Sequence, residues 1–289
     1  MAVLILVATP YLVRASCAAA RVKLDVPGAL TVTLGLLGFA FGVTNHNLSM
    51  LIGGLALLGL FWWIEQRVAA PLAALSILSR PTVKWGNAAG LVVSMEPALI
   101  FLLTLYLQDV LHLSPMATGL VFGVPGLASV TAGVIAGRVI ARYGSANILT
   151  IGLLVQTACA APLILVGTST AWLAVLMPAL FIGFFGHVTA IVAYMVTATS
   201  GLPESEQGLA TGLASMTRQI GSTVAIPILS TLAATQVTLL AGIHLALTVD
   251  VLVSVSAVAL VWTGLQPRSD ATPRQRASHD VAAAGSPLS

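Results

Sequence analysis

The chain has 289 residues, of which 58% are hydrophobic and 7% are charged, and its formal net charge is +3 at pH 7. Soluble domains carry about 25% charged residues, so these proportions exclude a water-soluble fold and make lipid the solvent. The dispersed basic residues give no support to nucleic-acid binding, and Cys17 and Cys159, expected in a cytoplasmic loop and a membrane span, argue against a disulfide.

Residues 1–13 are an apolar run that stops at Arg14, too short to cross a bilayer. A signal peptide would need a basic segment ahead of the apolar one, and none is present. The run is therefore expected to be the remnant of a membrane helix whose first half is missing. Residues 14–26 follow as a cytoplasmic loop. Residues 27–66 make a two-helix hairpin, with spans at 27–44 and 48–64 joined by the polar turn Asn45-His46-Asn47. A cytoplasmic linker over 67–83 holds Arg67 and Arg80 around an Ala/Leu stretch with Pro71 and Pro81 and has room for a short helix on the inner surface.

The next span, residues 84–107, carries Glu96 and Pro97 side by side near its middle. A carboxylate at mid-depth costs about 3 kcal/mol, so this acid needs a reason to be there. Pro97 lacks a backbone N–H and crowds the carbonyl of Val93, which predicts a kink beside the acid. On an unbroken helix the face of Glu96 would hold Ala89, Val92, Val93, Leu99, Ile100 and Leu103, while Asn87 and Ser94 would point the other way. Residues 108–114 read as a turn at the water boundary.

In the span 116–136, Gly119, Gly123, Gly126, Gly133 and Gly137 recur at steps of four and three, interrupted only by Val130. Membrane helices associate through close packing, so this stripe predicts a neighbour pressed against the backbone, or a smooth track along which helices slide. Residues 137–144 read as a tight basic loop with Arg138 and Arg142. Spans at 146–166 and 172–196 come next, and His187 lies deep in the second, placed either to relay protons or simply to bond a neighbouring helix. After a loop over 201–207, Gly208, Gly212, Ser215, Gln219 and Ser222 repeat the four-three spacing, with Arg218 beside them. The last span, 244–264, puts Ala246, Asp250, Ser254 and Ala257 on one face, and residues 265–289 form a polar tail expected to be disordered.

Eleven of the twelve basic residues fall in alternate connections or the tail, which the positive-inside rule makes cytoplasmic. The fold class is thus an all-α, polytopic transmembrane bundle of about nine helices, the first incomplete. The scattered His46, His112, His187 and His244 and the two cysteines form no metal or nucleophile–base constellation, so neither a metal, a cofactor nor an enzymatic reaction is expected.

The run from Phe101 to Gln108, then Leu113-Ser114-Pro115 and Ala117-Thr118-Gly119-Leu120, is similar to the first span of the carboxyl-terminal half of fourteen-helix drug/proton antiporters of the major facilitator superfamily. The segment from Ala136 to Gly144, and Gly208-Leu209-Ala210-Thr211-Gly212-Leu213 with Thr217-Arg218-Gln219-Ile220-Gly221, resemble the same family. The hairpin after Leu24-Asp25-Val26-Pro27-Gly28 resembles the two helices inserted between the halves. The resemblance implies helices six to fourteen of a partial major facilitator fold, with residues 84–264 as its carboxyl-terminal six-helix bundle and a missing amino-terminal bundle as partner. It implies export of small hydrophobic or cationic drugs against protons across a bacterial cell membrane, the carboxyl end being cytoplasmic. Glu96 is the leading candidate for the coupling acid and Asp250 the second, with a structural pairing of Glu96 to Arg218 as the plain alternative; Gln219 and His187 are further candidates. The competing reading is a truncated, non-transporting membrane protein that only binds partner helices.

The charge pattern makes a direct prediction for topology. Membrane-impermeant thiol labelling of single cysteines in intact cells should reach a cysteine at Asn45 but not one in the 265–289 tail; labelling of both from the same side would overturn the assignment.

Overall fold

A computed structural model describes residues 26–67, 77–78 and 80–265. The helix remnant expected at 1–13, the loop after it with Cys17, most of the 67–83 linker and the tail beyond residue 265 lie outside the described residues.

Among the described residues the chain is helical throughout its ordered elements. Helices α1 (Val26–Thr44) and α2 (Leu48–Glu65) form the hairpin. Helix α3 (Pro81–Val93) is followed by α4 (Glu96–Leu105), which runs into a π-helical turn, Tyr106–Val110. Then come α5 (Pro115–Tyr143), α6 (Ser145–Ala160), α7 (Leu173–Thr199), α8 (Glu204–Ala234) and α9 (Leu239–Leu265), with single 3-10 turns at Ala161–Leu165 and Thr170–Trp172 between α6 and α7. Counting α3 and α4 as one broken span, seven of these stretches are long and apolar enough to cross a membrane. Helix α8 is longer still, at 31 residues, but its polar stripe lowers its hydropathy.

The hairpin turn is set locally. Asn47 caps α2 by accepting the Met50 N–H at 3.1 Å, and His46 takes a φ of +50° to reverse the chain. Gly38 and Gly42 of α1 lie against Gly54 and Leu51 of α2 so closely that a Cβ on Gly54 would meet the Phe39 backbone. The hairpin then leans on α8, where the Thr231 hydroxyl donates to the Val43 carbonyl at 3.3 Å.

The bundle is close-packed by the same means. A Cβ on Gly152 of α6 would come within 2.7 Å of the Gly186 carbonyl of α7, so this pair can touch backbone to backbone. Two apolar clusters result. One gathers Leu102, Leu103, Tyr106 and Leu107 with Leu180, Leu229 and Ile243. The other joins Ala89 and Val93 to Leu149, Leu153, Tyr194 and Val261. They lie on either side of the α3–α4 break. The far end of the α4 span is pinned to the 161–172 connection: the Tyr106 hydroxyl donates to the Gly167 carbonyl at 2.7 Å, and His244 Nε2 lies 2.7 Å from the Val166 carbonyl. At the other end, Arg80 meets Glu206 at 2.9 Å, a partly exposed pair worth little by itself.

Several expectations are corrected. The kink at Pro97 is a full break: α3 stops at Val93, Ser94 and Met95 make a turn, and α4 restarts with Glu96 and Pro97 in its first turn, where the missing N–H costs nothing. The basic loop over 137–144 is helix as far as Tyr143, since nothing before Gly144, with its φ of +84°, interrupts it. Arg138 and Arg142 therefore ride on the last turns of α5. Likewise α8 starts at Glu204, inside the loop expected over 201–207. The α5 glycines face away from this bundle: no atom lies within 4 Å of a Cβ built on Gly119, Gly123, Gly126, Gly133 or Gly137. The buried side of α5 is instead Thr118, Val121, Pro125, Ala128, Ala132 and Ala136. These also recur at steps of three and four, so the helix has two smooth faces, and spacing alone does not say which one turns inward.

Gly90 of α3 is a sharper test of packing, because a Cβ there would enter the Tyr194 ring. That ring cannot swing aside, since its hydroxyl donates to the Ala214 carbonyl at 2.7 Å and lies 3.2 Å from Oδ1 of Asn87. Gly90→Val should destabilise the chain by about 1–3 kcal/mol, read as a lowered melting temperature in detergent, while Gly126→Ala in the same chain should leave it unchanged.

Candidate functional site

The break between α3 and α4 determines where Glu96 points. In a continuous helix Ser94 and Glu96 would diverge by two residue steps, but the turn at 94–95 suspends that relation and brings both to one cavity of about 170 Å³. Its other lining residues are Pro97, His187 and Ile191 of α7, and Arg218, Gln219 and Ser222 of α8. Ser94 is thus corrected from the far side of the helix to a neighbour of the acid.

Glu96 Oε2 lies 3.4 Å from His187 Nε2, and both side chains are nearly enclosed. On the other side of the ring, His187 Nδ1 is 3.2 Å from Gln156 Oε1 of α6. The imidazole thus bridges the acid and the amide, and which ring nitrogen carries the hydrogen follows from the proton state of Glu96. Phe184 closes the site with its ring 5.9 Å from the imidazole. The second carboxyl oxygen, Glu96 Oε1, is buried without a hydrogen-bond partner. An acceptor left in that state invites a donor, either a proton of its own or an N–H group from a ligand.

The other expected residues divide clearly. Asp250 is buried in α9, with Ala246, Ser254 and Ala257 buried along the same face. It does not line the cavity of Glu96. Arg218 and Gln219 do line it, and Gln219 Nε2 also donates to the Thr223 hydroxyl at 3.3 Å. The side chain within 4 Å of Glu96 is the His187 imidazole and not the Arg218 guanidinium, so the alternative pairing to Arg218 is corrected. Gly208 and Gly212 of α8 meet nothing within 4 Å, like the α5 glycines, and Arg138 and Arg142 stand well along the chain at the end of α5. Among the described residues no group of three metal-ligating side chains converges.

Sequence reasoning missed Gln156 and the Glu96–His187 contact. An amide near the middle of the apolar 146–166 span was the available signal for the first. The second joins helices 91 positions apart in the chain, and no periodicity links them.

Comparison with known proteins supplies the family. Residues 63–226 match the Major Facilitator Superfamily. The lincomycin resistance protein of Streptomyces lincolnensis is 28% identical over 235 residues, which cover 78% of this chain and 49% of that protein. The cephamycin export protein CmcT of Amycolatopsis lactamdurans is 32% identical, with 73% of this chain and 46% of that protein covered. A multidrug resistance protein B homolog of Mycobacterium tuberculosis is 29% identical, with 74% and 42% covered. The chain therefore spans about half the length of the curated relatives it matches. A crystal structure of the nucleoside transporter NupG superposes with a TM-score of 0.56 at 12% identity, covering 83% of this chain and 65% of that one, a likeness of fold alone. With the match running over more than half of its residues and the helical bundle agreeing with it, the chain belongs to the Major Facilitator Superfamily.

Proposed function

We propose that this chain works as the carboxyl-terminal part of a proton-coupled exporter of hydrophobic, often cationic, compounds, and that Glu96 is the group at which proton and drug charge compete. The observation that carries this reading is the unpartnered oxygen of Glu96, buried at mid-span beside a cavity and backed by His187. A neutral carboxyl holds its proton there; an ionised one accepts the cationic end of a drug. One site then serves both cargoes in turn, which is the requirement for exchange. The relatives support the substrate class, being named for resistance to lincomycin, export of cephamycin and multidrug resistance.

Asp250 has a secondary role in this reading, as a second buried acid on the inward face of α9. The outward glycine faces of α5 and α8 are the surfaces against which an amino-terminal bundle would pack and slide during alternating access. The membrane is a bacterial cell membrane, with the carboxyl end on the cytoplasmic side. A second reading is a non-transporting protein that only binds partner helices, for which the outward small-residue faces of α5 and α8 would be the contact surfaces.

Inverted membrane vesicles containing the chain, with whatever segment its gene encodes upstream, separate the two. Ethidium should accumulate in an uncoupler-sensitive manner and release protons, and Glu96→Gln should lower that drug-driven proton release by about tenfold or more. Uptake without uncoupler sensitivity, or unchanged release in the variant, overturns the coupling role; no uptake at all favours the binding-only reading.

A further inference from the structure

We infer that the compounds preferred at this site carry an anionic group, held by Arg218, in addition to the amine or cationic end that meets Glu96: zwitterionic amphiphiles are favoured over simple lipophilic cations. The inference rests on the transport reading above and specifies the substrate of the same cavity.

The argument starts from two charges that are treated differently. Glu96 has a partner in His187. Arg218 has no carboxylate within 4 Å among the described residues, and its side chain is exposed to the cavity it lines. It stands 14 positions beyond Glu204, the first residue of α8, about 21 Å along the axis at 1.5 Å per residue. That is well inside a hydrocarbon core of about 30 Å, where a lone arginine on a helix is strongly disfavoured. Among the described residues no carboxylate stands at contact distance from this guanidinium, which leaves it open to an anion entering the cavity.

Guanidinium geometry narrows the anion. Its planar fork takes two carboxylate oxygens at once, an arrangement stronger and more selective than a single point contact. Gln219 lines the same cavity and has a second amide N–H beside the one given to Thr223, whereas the Ser94 and Ser222 hydroxyls already donate to the Gly90 and Gln219 carbonyls. Across the cavity, Glu96 Oε1 lacks a donor. The site thus offers one unsatisfied acceptor and one unsatisfied cation, and the complement of that pair is a head group with a positive and a negative end. A lipophilic monocation would satisfy Glu96 but would leave Arg218 unpaired and facing a like charge.

The volume fits a head group and little more. About 170 Å³ is well below the roughly 300–1,000 Å³ of pockets that enclose a whole drug, so the apolar body of the ligand must lie outside the cavity, past Ile191 and Pro97.

Tetramethylrhodamine and its ethyl ester test this directly, since the two dyes share one body and differ in a single free carboxylate. Fluorescence anisotropy with the detergent-purified chain should show the acid binding about tenfold more tightly than the ester. Arg218→Gln should reduce that preference to about one, and Arg218→Lys should keep part of it, with circular dichroism showing equal helix content in all three proteins. Equal binding of the two dyes, or a preference that survives Arg218→Gln, overturns this inference and leaves the transport reading standing. Failure of both dyes to bind removes the substrate site itself, and both readings fall.

Discussion

A helix that crosses lipid must satisfy every backbone group within its own length or through a neighbour, and the candidate site of this bundle follows from a place where a span's regular ladder is interrupted. Between Val93 and Glu96 the regular ladder stops. The Ser94 N–H reaches the Gly90 carbonyl at 3.1 Å, the Met95 N–H reaches Val92 at 3.0 Å, and the Ala98 N–H restarts the series on Met95 at 3.0 Å. The Ser94 hydroxyl adds a bond to the Gly90 carbonyl at 2.6 Å. Local donors thus satisfy the Gly90, Val92 and Met95 carbonyls around the turn, and the turn survives at a depth where unpaired groups are expensive. Because the turn is there, Glu96 opens a new helix instead of continuing the old one, and its carboxyl faces α7 and α8.

The neighbouring helices are shaped to that arrangement. Small residues bring α6, α7 and α3 close enough for side chains to meet across them, and His187 can reach both Glu96 and Gln156 as a result. The large apolar residues collect above and below, in the Leu102–Leu107 region and around Leu149 and Leu153. Buried acids and a buried imidazole are costly singly; grouped at one level, each offsets part of the cost of the other.

Much of the architecture was legible in the residues themselves. Hydropathy located the spans because lipid permits few alternatives, and the basic residues of alternate loops gave a consistent orientation. Other features were hidden for identifiable reasons. Arg138 and Arg142 suggested a loop, yet α5 has 29 residues and so runs about 43 Å, longer than the hydrocarbon is thick; charge at its end marks the water, not the end of the helix. The two smooth faces of α5 are alike in spacing, so the inward one was a matter of tertiary packing. The Glu96–His187 contact depends on the turn at 94–95 and on the rotation of α7, neither of which a pattern of side chains encodes. Ser94 was misplaced because helical periodicity was carried through a position where the helix ends.

The tyrosines add a mechanical consequence. Tyr194 fastens α3 to α7 and α8 near one surface, and Tyr106 fastens the end of the α4 span to the Gly167 connection near the other. Each arm of the broken span is moored at its own outer end, so flexing between the arms has to be taken up at residues 94 and 95. Strain applied anywhere along this rod is delivered to the two peptide units beside the carboxyl, and bending is converted into a change in what that group touches.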